Sequence, residues 1–473
     1  MKHLTRRTFL KGSLIASATF SVTARSWAQI AGANEAIRVA VVGFNGQGGS
    51  HISALSKLAG VRLVALCDAD QNVLDRGIKK LKEQNTEVAG YQDVRKLLDD
   101  KSIDAISTAT PNHWHSLLTI WACQAGKDVY VEKPVSHNVF EGRKAVEAAR
   151  KYNRIVQTGT QCRSSTGLIE AIKWLHEGNL GKLMLVRGLC YKPRGSIGKV
   201  AAPTPIPANI DYDLWCGPAP MEPLRRKNLH YDWHWVWATG CGDLGNQGIH
   251  QMDIARWILR EDHLSSRVFS VGGRLGYIDD GETPNTQFIF HDYPEAPLIF
   301  EVRGLKTPDY RGAKIGVVVD CEGGSMVIPS YSDATAFDKA GKEIKKWKGG
   351  GNHHGNWIKA IRSRKYTDLN ADILEGHLSS ALCHTGNISY RLGLQSPPNE
   401  IREQIKSHKG ASETFERMAE HLAANNVDLR TSQAILGPVL TMDPVTERFP
   451  GNDKANALLT RNYRKPYVVP ETV

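Results

Sequence analysis

Gly43-Phe44-Asn45-Gly46-Gln47-Gly48 lies where a β-branched run gives way to a segment of helical period. A dinucleotide's pyrophosphate meets free backbone N–H groups at such a junction. The loop departs from G-x-G-x-x-G at its middle glycine, where Asn45 stands; asparagine tolerates positive φ, and Gly46 and Gly49 add freedom. Asp68 follows Gly48 by twenty residues. A carboxylate there accepts from ribose hydroxyls and repels a 2′-phosphate, so the expected cofactor is NAD rather than NADP. The alternative for the loop is a plain tight turn between strand and helix.

Three later stretches carry groups able to move a proton or hold a hydroxyl. Thr110-Pro111-Asn112-His113-Trp114-His115 and Glu132-Lys133-Pro134 each follow a β-branched run, at the end of a strand where open α/β sheets bind ligands. Thr110, Pro111, Asn112, His115, Glu132 and Lys133 thereby join Gly43, Asn45, Gly46, Gln47, Gly48 and Asp68 as candidate cofactor ligands. A half-buried lysine beside a nicotinamide can exchange a proton with a substrate hydroxyl, although a lysine in a surface turn would read the same. Gly240-Cys241-Gly242-Asp243-Leu244-Gly245-Asn246-Gln247-Gly248-Ile249-His250 enters a helix on which Asn246 and His250 stand four apart and share a face. His250 is a candidate catalyst or, equally, a capping or core histidine. Aromatic rings at Tyr231, Trp233, Trp235 and Trp237 either stack on the C–H face of a sugar or pin a long loop. Arg163, Lys192 and Trp235 are taken with Lys133, Asn246 and His250 as the substrate-binding set; His353 and His354 are further candidates. No cysteine or histidine spacing suits a metal, and none is expected.

These groups need a scaffold that presents loops at strand ends. From residue 36 the chain alternates strand-like runs (37–42, 62–67, 103–108, 128–131, 155–158) with helical-period segments (46–59, 70–84, 113–125, 138–151). Strict alternation predicts a doubly wound parallel sheet of the Rossmann type over residues 36–160. After a helix at 166–177, strand-like runs succeed one another at 183–191, 267–277, 286–291, 298–303, 315–320 and 325–328, interrupted by an irregular stretch (193–242) and a helix at 248–259. That order predicts an α+β domain with a mainly antiparallel sheet over 161–391, closed by helices at 353–363 and 371–391. Residues 392–473 are polar and contain Pro397, Pro398, Pro438, Pro444 and Pro450, which reads as an arm laid over the surface or over a partner subunit.

The 473 residues are 41% hydrophobic and 23% charged, which excludes a disordered, collagenous or coiled-coil chain. Of the formal net charge of +11, five positive charges and no acid lie in residues 1–28, so the rest carries a modest +6 without a basic stripe for nucleic acid. Thr5-Arg6-Arg7-Thr8-Phe9-Leu10-Lys11, followed by a weakly apolar segment and Ser26-Trp27-Ala28, resembles a twin-arginine export signal over residues 1–28. It predicts a periplasmic or exported protein, folded around a tightly bound cofactor, with no membrane span in the mature chain. The eight cysteines are scattered singly and read as small core residues.

The glycine loop, the T-P-N-x-x-H loop, E-K-P and the Gly-rich turn before a helical histidine, in this order, resemble the glucose-fructose oxidoreductase / inositol dehydrogenase / rhizopine-catabolism family of NAD(P)-dependent oxidoreductases. Asp372 to Gly393, with Glu375, His377, Asn387 and Arg391, is similar to the closing helix of its exported bacterial members. The resemblance implies a Rossmann domain, a second domain whose open sheet face meets another subunit of a homo-oligomer, and oxidation of a sugar or polyol carbinol. It makes Lys133 the acid/base and His250 its partner or a hydroxyl ligand. It also exposes a departure: the family's usual Asp four residues before the histidine is Asn246 here, which cannot exchange a proton. The expected function is thus a periplasmic NAD-dependent oxidoreductase of a sugar, polyol or glycoside, with an unidentified hydride acceptor. The alternatives are a glycosidase or lyase that oxidises its sugar transiently and a non-catalytic, cofactor-loaded sugar-binding protein.

Overall fold

The computed structural model describes residues 36–473, so the expected export signal lies outside the described residues. Strands β1 (Ile37–Val42), β2 (Val61–Cys67), β3 (Ala89–Tyr91), β4 (Ala105–Thr108), β5 (Asp128–Val131) and β6 (Val156–Thr158) form one parallel sheet, ordered β3-β2-β1-β4-β5-β6. The connecting helices are α1 (Gln47–Leu55), α2 (Gln71–Glu83), α3 (Val94–Asp99), α4 (His115–Gln124) and α5 (Val139–Lys151). β4, β5 and β6 are buried at every residue, as β-branched runs covered on both faces must be. The order reverses between β1 and β4, which opens a crevice at the carboxyl ends of those two strands.

The second domain contains α6 (Thr166–His176), β7 (Leu183–Tyr191), α7 (Tyr212–Cys216), α8 (Gly242–Asn246), α9 (Ile249–Leu259) and strands β8 (Arg267–Gly273), β9 (Thr286–Asp292), β10 (Leu298–Arg303), β11 (Ile315–Cys321), β12 (Gly324–Ile328), β13 (Asp333–Asp338) and β14 (Glu343–Lys348). Its sheet is antiparallel except where β10 pairs with β7. α6, α9 and the long α11 (Ile373–Leu392) cover one face with Leu168, Ile172, Met252, Ile258 and Leu382.

Two boundaries differ from those read off the sequence. α10 (His353–Ser363), placed with the second domain by chain order, buries Trp357, Ile358 and Ile361 against Val39, Val41 and Leu66 of the first sheet. The stretch 392–473, expected as an arm laid over the surface or over a partner subunit, is largely built into the fold. β15 (Leu394–Ser396), β16 (Ala434–Leu436) and β17 (Leu440–Thr441) extend the second sheet. α12 (Pro398–Ile405) and α13 (Ala411–Ala424) set Ile401, Ile405, Phe415, Met418 and Leu422 on Phe269, Phe288, Phe290 and Ile299. They occupy the sheet face that the resemblance left open to a second subunit. These helices bury only two and four apolar residues, too few to stand out in a polar stretch. Beyond α14 (Asp453–Ala457) the chain returns to the first domain, where Tyr467 is buried against Trp114 and Trp121.

All eight cysteines are free and buried, and no helix of the described residues is long and apolar enough to cross a membrane.

Candidate active site

A cavity of about 720 Å³ runs from the crevice between β1 and β4 to the N-terminal end of α9. Its first half is lined by main chain. Gly43 has φ +72°, and a Cβ there would stand 2.8 Å from the Thr110 nitrogen; a Cβ at Gly48 would stand 2.2 Å from the Gly43 carbonyl oxygen. Both glycines are therefore required by packing. Gly46 faces open space, with nothing within 4 Å of its Cβ position, and no side chain caps α1 there. The start of α1 thus faces the cavity without a side-chain cap, a cradle that fits a pyrophosphate. Asp68 lines the same end and accepts from the Phe44 and Asp70 N–H groups, both at 3.1 Å. Burial raises its carboxyl, and those two hydrogen bonds oppose the shift.

The irregular stretch between β7 and α8 roofs this half as a strap. Trp215, Asn228, His230, Tyr231, Trp233 and His234 line the cavity from it. The strap is fastened to Asp70, the N-cap of α2, which accepts from Asn209 at 2.7 Å and contacts His230 Nε2 at 2.9 Å. Burial alone would raise the Asp70 carboxyl; the Asn209 and His230 hydrogen bonds hold it below its ordinary value.

The other half is lined by side chains. Lys133 Nζ donates to the Asn246 carbonyl at 2.8 Å, which joins the two domains across the cavity. His115 braces that loop: its ring nitrogens lie 2.5 Å from the Pro134 carbonyl and 2.7 Å from the Thr110 carbonyl. Glu132 lies 3.0 Å from His51 Nε2, and His51 Nδ1 lies 2.9 Å from Ser107 Oγ. Burial would raise Glu132, but the His51 hydrogen bond and the charges of His51 and Lys133 hold it at about 2. Burial first, and the Lys133 charge second, depress His250 to about 3, so it is a neutral imidazole at ordinary pH. Its Nδ1 is buried without a partner among the described residues. The residue itself lines the cavity, so its ring is a candidate ligand for a hydroxyl.

Of the sequence-predicted residues, Gly43, Asn45, Gly46, Gln47, Asp68, Thr110, Pro111, Asn112, His115, Glu132, Lys133, Asn246 and His250 line this one cavity, and Gly48 packs under its loop. Arg163 does not: it is buried against Asp253, with Nε 2.8 and 3.0 Å from the two carboxylate oxygens, and against Glu375 at 3.0 Å, and so ties α9 to α11. Trp235 is likewise corrected; it is buried beneath the strap with Arg194 over its ring, while Tyr231, Trp233 and His234 reach the cavity. His353 bridges Ser164 and the Thr158 carbonyl, and His354 stacks on Tyr130, both away from it. Asp243 is closed by a two-point pair with Arg194, and Asp253 by Arg163, so neither carboxylate replaces the acid missing at Asn246. Lys192 sits one hydrogen bond behind the wall, on Gln247 Oε1 at 2.9 Å. Sequence reasoning missed Gln161, Gln247, Tyr331 and, from the strap, Trp215, Asn228 and His230. Gln247 stood inside a stretch already singled out; Tyr331, in the β12–β13 turn, carried no signal.

Residues 37–160 match the family model described as "Oxidoreductase family, NAD-binding Rossmann fold", and residues 183–280 match "Oxidoreductase family, C-terminal alpha/beta domain". Inositol 2-dehydrogenase 1 of Saccharopolyspora erythraea is 34% identical over 152 residues, 32% of this chain and 44% of that protein. A glycosyl hydrolase family 109 protein of Shewanella putrefaciens is 28% identical over 207 residues, 39% of this chain and 45% of that protein. The matches thus span about half the length of these relatives or less. Among solved structures, the WlbA dehydrogenase from Bordetella pertussis in complex with NADH and UDP-GlcNAcA aligns with a TM-score of 0.55 at 20% identity, over 73% of this chain and 94% of that one. An oxidoreductase from Agrobacterium radiobacter in complex with NAD+, L-tartaric acid and magnesium gives 0.55 at 15%, over 74% and 95%. At these identities the structural likeness shows the fold.

Proposed function

We propose that this chain, an NAD-binding oxidoreductase with the Rossmann and C-terminal domains of the glucose-fructose oxidoreductase / inositol dehydrogenase / rhizopine-catabolism family, moves hydride between tightly held NAD and a carbinol carbon of a sugar, polyol or glycoside. The observation that carries this reading is one cavity with a glycine-built cradle at one end and Lys133, Asn246 and His250 at the other. Bound NAD supplies the hydride acceptor. Lys133 exchanges the hydroxyl proton as the carbon is oxidised, its Nζ held in place by the Asn246 carbonyl. His250, kept neutral by burial, orients the hydroxyl, and Asn246 is a substrate ligand without a part in proton transfer. The enclosing walls fix the carbinol and exclude water.

The strap fastened at Asp70 supports tight retention of the cofactor, and Arg6-Arg7 with its acid-free leader supports export of the loaded protein. Outside the cytoplasm there is no NAD pool, so the cofactor either cycles in place between two sugar substrates or is reoxidised by a separate acceptor. Replacing both arginines by lysine should leave folded holoprotein in the cytoplasm; unchanged periplasmic yield refutes export. The catalytic reading is tested by single-turnover reduction of bound NAD at 340 nm with a sugar panel, in the parent and in Lys133→Met.

A second reading is favoured by the likeness to the Shewanella putrefaciens protein: oxidation of a ring hydroxyl acidifies the neighbouring C–H, the glycosidic bond is eliminated, and the hydride returns. Phenol released from an aryl glycoside without accumulation of a keto-sugar would establish it over net oxidation.

A further inference from the structure

The charges around the substrate half do not balance. Glu132 is engaged by His51, Asp243 by Arg194, and Asp253 by Arg163 and Ser379. The last polar reach of Arg194 goes to the Tyr231 hydroxyl at 2.7 Å. Lys192, by contrast, holds only a neutral acceptor, the Gln247 side-chain oxygen, and the Gln247 amide in turn donates to the Tyr331 hydroxyl at 2.6 Å. Among the described residues no carboxylate lies within ion-pair distance of the Lys192 or Lys133 ammonium, although Lys192 is half-buried. Burial, and then the nearby Arg194 charge, push the Lys192 ammonium below its ordinary value. Half-buried cations are ordinarily matched by an anion. Here Gln247 and Tyr331, both on the cavity wall, stand between the Lys192 ammonium and the cavity.

We propose that the substrate is a sugar acid, a carbohydrate whose single carboxylate is recognised through Lys192, Gln247 and Tyr331 while its carbinol faces Lys133. With Lys133 engaged at the carbinol, the Lys192 ammonium is left to match one negative charge, which favours a carboxylate over a phosphate dianion. The proposal rests on the oxidoreductase reading for its carbinol, but its recognition step can be tested without turnover.

Holoprotein is titrated with galacturonate and galactose, glucuronate and glucose, and glucose 6-phosphate, following quenching of the tryptophan fluorescence to which Trp215 and Trp233 on the cavity wall contribute. The acids should bind at least ~10-fold tighter than their neutral partners, a gap of about 1.4 kcal/mol. Lys192→Met should erase most of that ratio, and Lys192→Arg should keep it. Equal affinity for acid and neutral sugars, or an unchanged ratio in Lys192→Met, overturns the proposal; glucose 6-phosphate binding tighter than either acid overturns the choice of carboxylate. Tight, Lys192-dependent binding of acids without reduction of NAD by any sugar would instead refute the oxidoreductase reading and leave the recognition intact.

Discussion

The two ends of the cavity are built from different material. The cofactor end is main chain: the Gly43 to Gly48 loop, the uncapped start of α1 and the Thr110 backbone, held in place by missing Cβ atoms. The substrate end is side chains contributed by several distant elements: Lys133 after β5, Asn246 and Gln247 at the α8–α9 junction, His250 on α9, Tyr331 in a hairpin and Lys192 after β7. A main-chain site changes little when nearby side chains vary, because N–H groups are present whatever the residue. A side-chain site can be rewritten one residue at a time, and the resemblance implies such a change at Asn246. A main-chain way of holding NAD can therefore coexist with a substrate site tuned to this chain.

Variants that cross the two ends give the largest expected effects. Lys133→Met should slow hydride transfer ~10²- to 10⁴-fold while the released nucleotide, measured by mass spectrometry after denaturation, stays stoichiometric. Gly46→Ala should do the reverse: its Cβ meets nothing in the fold, so the Tm should hold, but it enters the pyrophosphate cradle and should lower NAD occupancy by roughly tenfold or more. Loss of NAD in Lys133→Met, or full occupancy in Gly46→Ala, would break the division.

Asp68→Ala probes the rim of the main-chain end. It should narrow the NAD-over-NADP affinity ratio by roughly one to two orders of magnitude, measured by competitive reloading of the apoprotein. An unchanged ratio would mean that the carboxylate serves only the Phe44 and Asp70 N–H groups.

The strap is where side chains of the second domain close over the main-chain end. His230→Ala removes one of its fastenings to Asp70 and, at about 1 kcal/mol for that bond, should speed release of bound NAD by roughly fivefold without changing the rate of hydride transfer. Unaltered release would show that the strap holds by its apolar contacts alone.

The smallest effect is on acid stability. His250 takes up its proton near the ordinary 6.5 when unfolded but at about 3 when folded, so between those values the unfolded chain binds the extra proton. Its burial therefore costs stability as pH falls from about 6.5 towards 3 and costs nothing above 6.5. His250→Gln should flatten the fall of Tm with pH across that window; an identical pH profile would mean that the other buried histidines dominate.

Much of the cofactor end was legible in the sequence. The alternation from Ile37 to Thr158, the glycine spacing and the position of Asp68 are local patterns, and hydrophobic period and backbone freedom act within a few residues. The motifs around Lys133 and His250 could be marked by their place after strands and before a helix, but not the partners they would meet. Arg163 and Gln247 illustrate the difference. As sequence, Arg163 was a candidate substrate ligand and Gln247 an unremarked neighbour of Asn246. In the fold, Asp253 and Glu375 reach Arg163 first, and Gln247 carries the link from Lys192 to Tyr331. The helices α12 and α13 were similarly hidden, because a few apolar residues per short helix mean nothing until a sheet face is there to receive them. By itself the sequence determined the order of elements, the dinucleotide loop and the residue types available for chemistry. Only the tertiary structure decided which charged groups are spent on one another and which are left facing the cavity, since pairing between residues 50 to 250 positions apart depends on packing that no local pattern encodes.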